Sequence, residues 1–316
     1  MHEADAKPRA TLVVVGSINH DQIVGVAAIP APGETVLAHV IGGGLGGKGL
    51  NQAIAATEAG AEVAFVGAVG ADMPGQEIVG AMSRYGIDIS SIERMPDETT
   101  GSAFVAVDEY GENVIFVTQG ANGALSPDWV AAAVEAGIRD RGGALVLCQA
   151  ETSAKVIEAA AMTCTSLGVR FVLNLAPFTP LTADVLRVAD PLVVNRTEAE
   201  GVLAHLVGGA AVPIVTQADA LVAATQLAGH SRSVVITTGA DGAVIAEGDR
   251  IVELAAEKVD VVDATGAGDA YVGTLAAALV RGSSLVEAAG AGSRAAARAI
   301  SRLGANSSHD VPANAG

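Results

Sequence analysis

The sequence predicts an α/β protein in which helices cover both faces of a mostly parallel sheet, with a small β lid beside it. Three observations support this fold class. Short apolar runs typical of buried strands alternate with segments of helical periodicity, and polar residues gather where the strands end. The chain is also long enough, at 316 residues with 50% hydrophobic residues, to bury a large core.

The first strand is the clearest element. Thr11 to Val15 is a continuous β-branched run that ends at Gly16, which is typical of a strand buried on both faces. Further strands are predicted at 63–69, 144–148, 170–174, 193–195 and 233–237, with shorter ones near Val244 and Ile251. These runs supply a central sheet.

Helix starts and ends separate the strands. Asp72 with Pro74, and Ser126 with Pro127, each pair a cap with a proline in the first turn. Another helix is predicted to run through Leu167 to Gly168, and a capping box over residues 197–200 is predicted to start the helix after Asn195.

Two segments leave this alternation. Residues 22–40 carry prolines and then a β-like stretch at 35–37, and residues 102–118 contain two apolar runs around a turn at 108–111. We predict that they pair into a small lid sheet over the site. The predicted division is a core of residues 10–21, 46–101 and 119–316 and a lid of residues 22–45 and 102–118.

Charge and cysteine content exclude several functions. The net charge of −17 argues against nucleic acid or an anionic membrane as a partner, since both require a basic face. No apolar run approaches the roughly 20 residues that a bilayer requires, and Met1 to Ala10 lacks the apolar core of a secretion signal. Cys148 and Cys164 are predicted to be free thiols, which suits the cytoplasm.

Polar residues follow the first strand directly. Ligands of open α/β sheets bind outside the carboxyl ends of the strands, so Asn19 and Asp21 are candidates for a binding site. The alternative is a turn held by Asx hydrogen bonds.

A glycine-rich segment from Gly42 to Gln52 matches two familiar motifs imperfectly. It resembles a dinucleotide fingerprint, but it does not follow the first strand and no acid ends the next one. It also resembles a phosphate-binding P-loop, but Gly49 stands where the metal-binding hydroxyl is required. We therefore predict a loop of exposed amides in which Lys48 and Asn51 bind a polyhydroxylated ligand.

A second glycine-rich segment, from Val262 to Tyr271, leads into a helix of strong apolar periodicity. Gly266 to Asp269 form its predicted first turn, where uncovered amides and the helix dipole bind anions such as phosphate. The same dipole is predicted to keep Asp269 ionised next to that phosphate, as phosphoryl transfer to an alcohol requires. The alternative is a tight loop with an ordinary first-turn acid.

Several motifs in the same order resemble the ribokinase family of carbohydrate kinases. They are Gly16-Ser17-Ile18-Asn19-His20-Asp21, Pro32-Gly33-Glu34-Thr35, Gly46-Gly47-Lys48-Gly49-Leu50-Asn51-Gln52, Gly120-Ala121-Asn122, Asn195-x-x-Glu198, Asp263-Ala264-Thr265-Gly266-Ala267-Gly268-Asp269 and Gly304-Ala305. The chain departs from the family pattern at Ala264, Arg196 and Leu175. The resemblance implies a ribokinase-like three-layer α/β/α fold with a β lid.

The resemblance also implies roles for individual residues. Asp269 would be the base, and Gly266, Ala267 and Gly268 would form the anion hole. The residues implied for the sugar hydroxyls are Asn19, Asp21, Gly47, Lys48, Asn51 and Glu151. Those implied for ATP are Asn195, Thr237, Gly239 and Gly268, with Glu198 near Mg²⁺.

A potassium site is implied in the same way, and the predicted lid itself favours a homodimer. The positions that match the family's K⁺ ligands are Asp263, the carbonyls of Thr265, Ala299, Arg302 and Gly304, and the hydroxyl of Ser308. The homodimer would pair exposed edges or apolar faces of the lid.

The function that these observations favour is ATP-dependent phosphorylation of the primary hydroxyl of a pentose, with D-ribose first among the substrates. Alternatives are a kinase for another sugar, such as fructose or deoxyribose, or for a nucleoside such as adenosine. An aromatic content of only 3% favours a bare sugar over a nucleoside base. A non-catalytic sugar or nucleotide sensor and a dinucleotide oxidoreductase remain as weaker hypotheses.

Overall fold

The computed structural model describes residues 10–139 and 144–301. Its strands are β1 (Thr11–Val15), β2 (Asn19–Gly25), β3 (His39–Gly46), β4 (Glu62–Gly70), β5 (Asp88–Met95), β6 (Gly101–Val107), β7 (Asn113–Thr118), β8 (Ala144–Gln149), β9 (Arg170–Asn174), β10 (Ala189–Asn195), β11 (Ser233–Thr237), β12 (Ala243–Glu247) and β13 (Arg250–Leu254). Its α-helices are α1 (Lys48–Glu58), α2 (Met73–Arg84), α3 (Ala121–Ala124), α4 (Pro127–Arg139), α5 (Ala154–Leu167), α6 (Ala183–Val188), α7 (Arg196–Val207), α8 (Gln217–Ala228), α9 (Ala267–Val280) and α10 (Leu285–Ile300).

The larger sheet has nine strands within the described residues, in the order β13-β12-β11-β10-β9-β8-β1-β4-β5. The pairs from β5 to β11 are parallel, and β12 and β13 join the edge as antiparallel strands. The predicted mostly parallel sheet is therefore confirmed. In a parallel sheet all carboxyl ends lie at one edge, so polar residues that end different strands are brought together.

Both faces of this sheet are buried, which makes a three-layer fold. Val13 and Val15 of β1 belong to the core that also contains residues of helices α4 to α8, whereas Leu12 and Val14 belong to the core that contains residues of α1, α2, α9 and α10. All four side chains are fully buried. This two-sided burial explains why the first strand is continuously apolar instead of alternating.

A second sheet of four strands, in the order β3-β2-β6-β7, stands apart from the first. Strands β2 and β6 pair in parallel, and β3 and β7 flank them as antiparallel strands. Asn19 and Asp21 lie within β2 and not in a turn, so the turn alternative is wrong. The assignment of residues 22–45 and 102–118 to a lid stays a prediction.

Two local predictions in this region are wrong. Residues 35–37 form no strand, and Gly42 to Gly46 belong to β3 instead of an open loop. The glycines carry no side chains, so they produce no alternating pattern, but their backbones still pair with β2. A side chain at Gly43 would fall 2.5 Å from the carbonyl oxygen of Asp21, so the close approach of β3 to β2 requires glycine there.

Most predicted helix boundaries are confirmed, with one correction. Asp72 caps α2 by accepting a hydrogen bond from the amide of Gly75, and α5 ends at Gly168, which has a φ of 67°. The capping box before α7 involves Asn195 and Glu198, not residues 197 and 200. Strand β10 runs to Asn195 and the helix follows at once, so the cap falls two residues earlier than predicted.

Two further expectations concern the cysteines and membrane-spanning helices. Cys148 and Cys164 are free and buried. No helix in the described ranges has both the length and the apolar character needed to cross a membrane.

Candidate active site

The amino-terminal end of α1 packs against the junction between β1 and β2. Gly47 has a φ of 88°, which favours glycine, and a side chain at Gly49 would fall 2.6 Å from the amide nitrogen of Ser17. The amide of Leu50 donates to the carbonyl of Ser17 at 3.0 Å. The glycines of this motif therefore allow the close contact that places Lys48 and Asn51 beside the first strand.

Asn19 is buried at the start of β2, and a second asparagine orients it. Asn122 donates from Nδ2 to Oδ1 of Asn19 at 2.8 Å and also binds both backbone groups of Ile18. Because Oδ1 of Asn19 is already an acceptor, its Nδ2 group is the end that can donate to a ligand. A side chain at Gly101 would collide with both asparagine side chains.

The carboxylate of Asp21 lies against the backbone of Gly46, where any larger residue would overlap it. The pKa of Asp21 is raised from 3.8 to about 6, chiefly by burial and also by the negative charge of Glu151. The amide of Ala103 and the charge of His20 oppose this rise in pKa. Oδ1 of Asp21 is buried and has no protein partner, so it can accept a hydrogen bond from a ligand.

Glu151 connects three parts of the site. Its Oε2 accepts hydrogen bonds from the hydroxyl of Ser17 at 2.6 Å and from the amide of Lys48 at 2.9 Å. A carboxylate at a helix amino terminus is favourable because it satisfies a free amide and complements the helix dipole. Glu151 therefore fixes the start of α1 in addition to the ligand-binding role implied for it.

Asp269 is buried in the first turn of α9, with 8% of its surface exposed. Its Oδ1 accepts from Nε2 of Gln52 at 2.8 Å, and its Oδ2 accepts from Nδ2 of Asn51 at 3.2 Å. Burial raises the pKa of Asp269, and Lys48, Gln52 and Asn51 oppose that rise. Desolvation is thus the largest influence on this pKa and acts against the ionised form, whereas the three polar neighbours favour it.

The turn before Asp269 has only some of the features expected of an anion site. Gly266 has a φ of 76° and precedes the first residue of α9, and a side chain built at Gly268 would meet no atom within 4 Å. The amide of Ala267, however, donates to the carbonyl of Ala264 at 3.3 Å. Gly268 therefore offers the open approach that a phosphate requires.

The nucleotide candidates lie side by side. Asn195 ends β10 and Thr237 ends β11, and the two residues are direct partners in the parallel register. Gly239 follows with a φ of 65°. Glu198 accepts from the amide of Asn195 at 2.8 Å, so its carboxylate also belongs to the capping box of α7. Burial also raises the pKa of Glu198, with Lys48 lowering it and Asp269 raising it.

Only part of the predicted potassium site falls within the described residues. Oδ1 of Asp263 accepts from the amide of Thr265 at 2.8 Å, and the amides of Val262 and Asp263 donate to the carbonyl of Ile300. The segment before α9 thus contacts the carboxyl end of α10, next to Ala299. Arg302, Gly304 and Ser308 lie outside the described residues.

Some polar residues of this site, in addition to Gln52 and Asn122, were given no role in it from the sequence. Ser17 binds Glu151, and Gln149 and Asn174 belong to the amide cluster around Gln52. Arg196, the residue after Asn195, forms an ion pair with Asp241 in the turn that begins at Gly239. Gln149 and Asn174 are the last residues of β8 and β9. A polar residue at the end of a buried strand was the available signal.

These features define a small-molecule enzyme of the α/β class, with buried carboxylates and amides at the carboxyl ends of the sheet and beside a helix amino terminus. The chain belongs to the pfkB family of carbohydrate kinases, whose family model matches residues 9–312. The predicted family, fold and enzyme class are thereby confirmed.

Curated relatives agree with this assignment. The chain is 36% identical over 303 residues to a ribokinase of Haemophilus influenzae, with 95% of each chain covered. It is 31% identical over 306 residues to a ribokinase of Schizosaccharomyces pombe, with 94% of each covered. A deoxyribokinase of Salmonella typhi is 30% identical over 267 residues, with 84% of each covered.

The fold also matches a solved structure of Arabidopsis thaliana ribokinase complexed with ribose and ATP. The two share a TM-score of 0.81 and 28% identity, and the match covers 94% of each chain.

Proposed function

We propose that this carbohydrate kinase transfers the γ-phosphoryl group of ATP to the O5 hydroxyl of D-ribose. The observation that carries the proposal is the position of Asp269, a buried carboxylate in the first turn of α9. It lies next to Gly268, where a built side chain would meet no atom within 4 Å, and within the electrostatic reach of Lys48. Similarity to ribokinases over nearly the whole chain supports ribose as the substrate.

Each group has a distinct task in this mechanism. Asn19, Asp21, Lys48 and Asn51 bind the sugar hydroxyls, with Gly47 and Glu151 holding the start of α1. The sugar O5 lies between Asp269 and the phosphate. Asp269 accepts the proton of O5 as the bond from O5 to the γ-phosphorus forms and the bond from that phosphorus to the bridging oxygen breaks, which releases ADP. The amides of Gly266 and Gly268 stabilise the charge that develops on the transferred group, joined by the amide of Ala267 once it leaves the carbonyl of Ala264.

Nucleotide and metal would lie across the ends of β10 and β11. Asn195, Thr237 and Gly239 would contact ATP. No three acidic, histidine or cysteine side chains converge as a metal site in the described part of the chain. Mg²⁺ fits nevertheless, because it is commonly held by one or two carboxylates plus substrate phosphates, and the partly buried Glu198 provides such a carboxylate. The ion would neutralise charge on the phosphates.

We predict activation by K⁺ through Asp263, Thr265 and Ala299, with Arg302, Gly304 and Ser308 completing the site. The carboxyl end of α10 and the carboxylate of Asp263 lie together, and both attract a cation. A cation beneath the anion hole would hold its amides in place. Replacing Na⁺ with K⁺ at constant ionic strength should raise kcat severalfold, and Asp263→Ala should remove the increase. Equal rates in K⁺, Na⁺ and a bulky organic cation would contradict this.

We predict that the second sheet is a lid and forms a homodimer contact. Val40, Ile41, Ile115, Phe116 and Val117 are all more than half exposed on β3 and β7. The strands β3 and β7 are the two edges of this sheet, and exposed edges with apolar side chains favour pairing with a second copy. Light scattering at micromolar concentration should give twice the mass of one chain, and Phe116→Asp should shift it towards the monomer. A strict monomer of the unchanged chain would refute the lid contact.

The substrate is tested by one coupled assay of ATP consumption across pentoses, hexoses and nucleosides. D-ribose should give the highest kcat/KM. A preference for deoxyribose, as the similarity to a deoxyribokinase allows, would keep the kinase chemistry and change the substrate. Turnover with none of these compounds would overturn the function.

The buried free thiols support a reducing compartment, and we propose the cytoplasm.

A further inference from the structure

A row of buried amides runs from the end of β8 to Asp269. Gln149 donates from Nε2 to Oε1 of Gln52 at 2.8 Å. Gln52 donates from Nε2 to Oδ1 of Asn174 and to Oδ1 of Asp269, both at 2.8 Å. The two glutamines are fully buried, and Asn174 and Asp269 are less than 10% exposed.

This row leaves Gln52 only one orientation. Asn174 donates from Nδ2 to the carbonyl of Val193 at 3.1 Å, so its Oδ1 is the acceptor end. Both hydrogens of the Gln52 amide are then used by Asn174 and Asp269, and its oxygen by Gln149. Rotating the amide by half a turn would place its oxygen against two other oxygens. Gln149 therefore secures the donor end of Gln52 towards Asp269.

Gln149 donates to Gln52 although its own side-chain oxygen is left without a hydrogen bond. Its Oε1 is buried without a hydrogen-bond partner, and it lies 2.0 Å from where a side chain at Gly16 would begin. An unsatisfied buried oxygen is destabilising. An apolar residue of the same length would fill the space without that penalty, so packing alone does not account for an amide at this position.

We propose that Gln149 and Gln52 are positioning residues that present Oδ2 of Asp269 to the sugar hydroxyl. Oδ1 is held by the shorter bond to Gln52, whereas Oδ2 has only the 3.2 Å bond to Asn51. Oδ2 is thus the oxygen that accepts the proton. This inference rests on the proposed role of Asp269 as the base.

The groups that face Asp269 predict how its pKa changes when the hydrogen bond from Gln52 is lost. Lys48 on α1 favours the charged form, and Glu151 after β8 and Glu198 on α7 disfavour it. Burial raises the pKa of Asp269, and the hydrogen bonds from Gln52 and Asn51 counter that rise. Loss of the Gln52 donor therefore raises the pKa, and the acidic limb of the kcat profile moves to higher pH.

The test compares Gln52→Met and Gln149→Met with Ser233→Ala. Ser233 is a fully buried polar residue whose hydroxyl binds Asp190 at the opposite end of the sheet. Two quantities are measured: the acidic limb of kcat against pH, and the pKa of Asp269 from ¹³C NMR of its carboxyl carbon, assigned by its loss in Asp269→Asn. We expect both to rise by about one pH unit in Gln52→Met and by about half a unit in Gln149→Met.

Ser233→Ala should lower the melting temperature and leave both quantities unchanged. If the carboxyl pKa stays unchanged in both methionine variants, the amide row does not control Asp269 and the inference fails. If the carboxyl pKa rises and the acidic limb of kcat stays in place, the amide row stands and the role of Asp269 as base fails instead. Gln149→Glu, which keeps the shape and loses the donor when ionised, serves if the methionine variant does not fold.

Discussion

Asp269→Ala should reduce kcat by at least about 10³-fold, while the sugar dissociation constant stays within roughly tenfold of its original value. The lost interaction belongs mainly to the transition state, in which the carboxylate accepts the proton of the attacking hydroxyl. Asp269 is buried and accepts hydrogen bonds from two side-chain amides. Bulk water therefore does not take its place as the proton acceptor in the variant. Steady-state kinetics and calorimetric sugar binding measure the two quantities separately.

The matched control for this variant is Asp249→Ala, which removes an exposed acid from the turn between β12 and β13. It should retain the original kcat. Retention of more than a few per cent of kcat in Asp269→Ala would show that the base lies elsewhere or is unnecessary.

Asp21→Ala should have the opposite signature, a large loss of sugar affinity. A carboxylate that binds two hydroxyls contributes about 2–4 kcal/mol, which corresponds to a roughly 30- to 700-fold rise in the sugar KM. The unpartnered Oδ1 of Asp21 in the site supports this role. Glu112→Ala, which removes an exposed acid near the same sheet, is the control and should leave KM unchanged. An unchanged KM in Asp21→Ala would place the sugar elsewhere.

The pH dependence of sugar binding provides a separate check on Asp21. Its pKa of about 6 means that the free enzyme carries the charged form above that pH and the protonated form below it. A protonated carboxyl loses one of its acceptor positions, so the sugar KM should rise as the pH falls through about 6. Asp21→Asn should abolish this pH dependence. A KM of the unchanged enzyme that is flat from pH 5 to 8 would contradict the assignment.

The alternation of strands and helices could be predicted from the sequence because each element carries its own signal. Thr11 to Val15 shows the continuous apolar run of a doubly buried strand, and Asp72 and Gly168 mark helix ends through local backbone chemistry. The glycines of β3 lack such a signal, since without side chains a strand has no alternation. That is why this strand was predicted to be a loop.

The site was less accessible to sequence reasoning because its properties depend on distant parts of the chain. Gln149 and Gln52 are separated by 97 positions and meet only in the folded sheet. The raised pKa of Asp269 arises from burial beneath several elements, whereas the sequence shows only its place in the first turn of a helix. The motifs predict candidate site residues, and the structure adds how their side chains are held.

The central claim is that a phosphoryl group is transferred to the O5 hydroxyl of D-ribose. Heteronuclear ³¹P–¹H NMR of the product formed from ATP and D-ribose tests it most directly. The proposed mechanism predicts a new phosphate monoester signal coupled to the two protons on C5. A phosphorus signal coupled to the anomeric proton, or release of inorganic phosphate without a sugar ester, would contradict it.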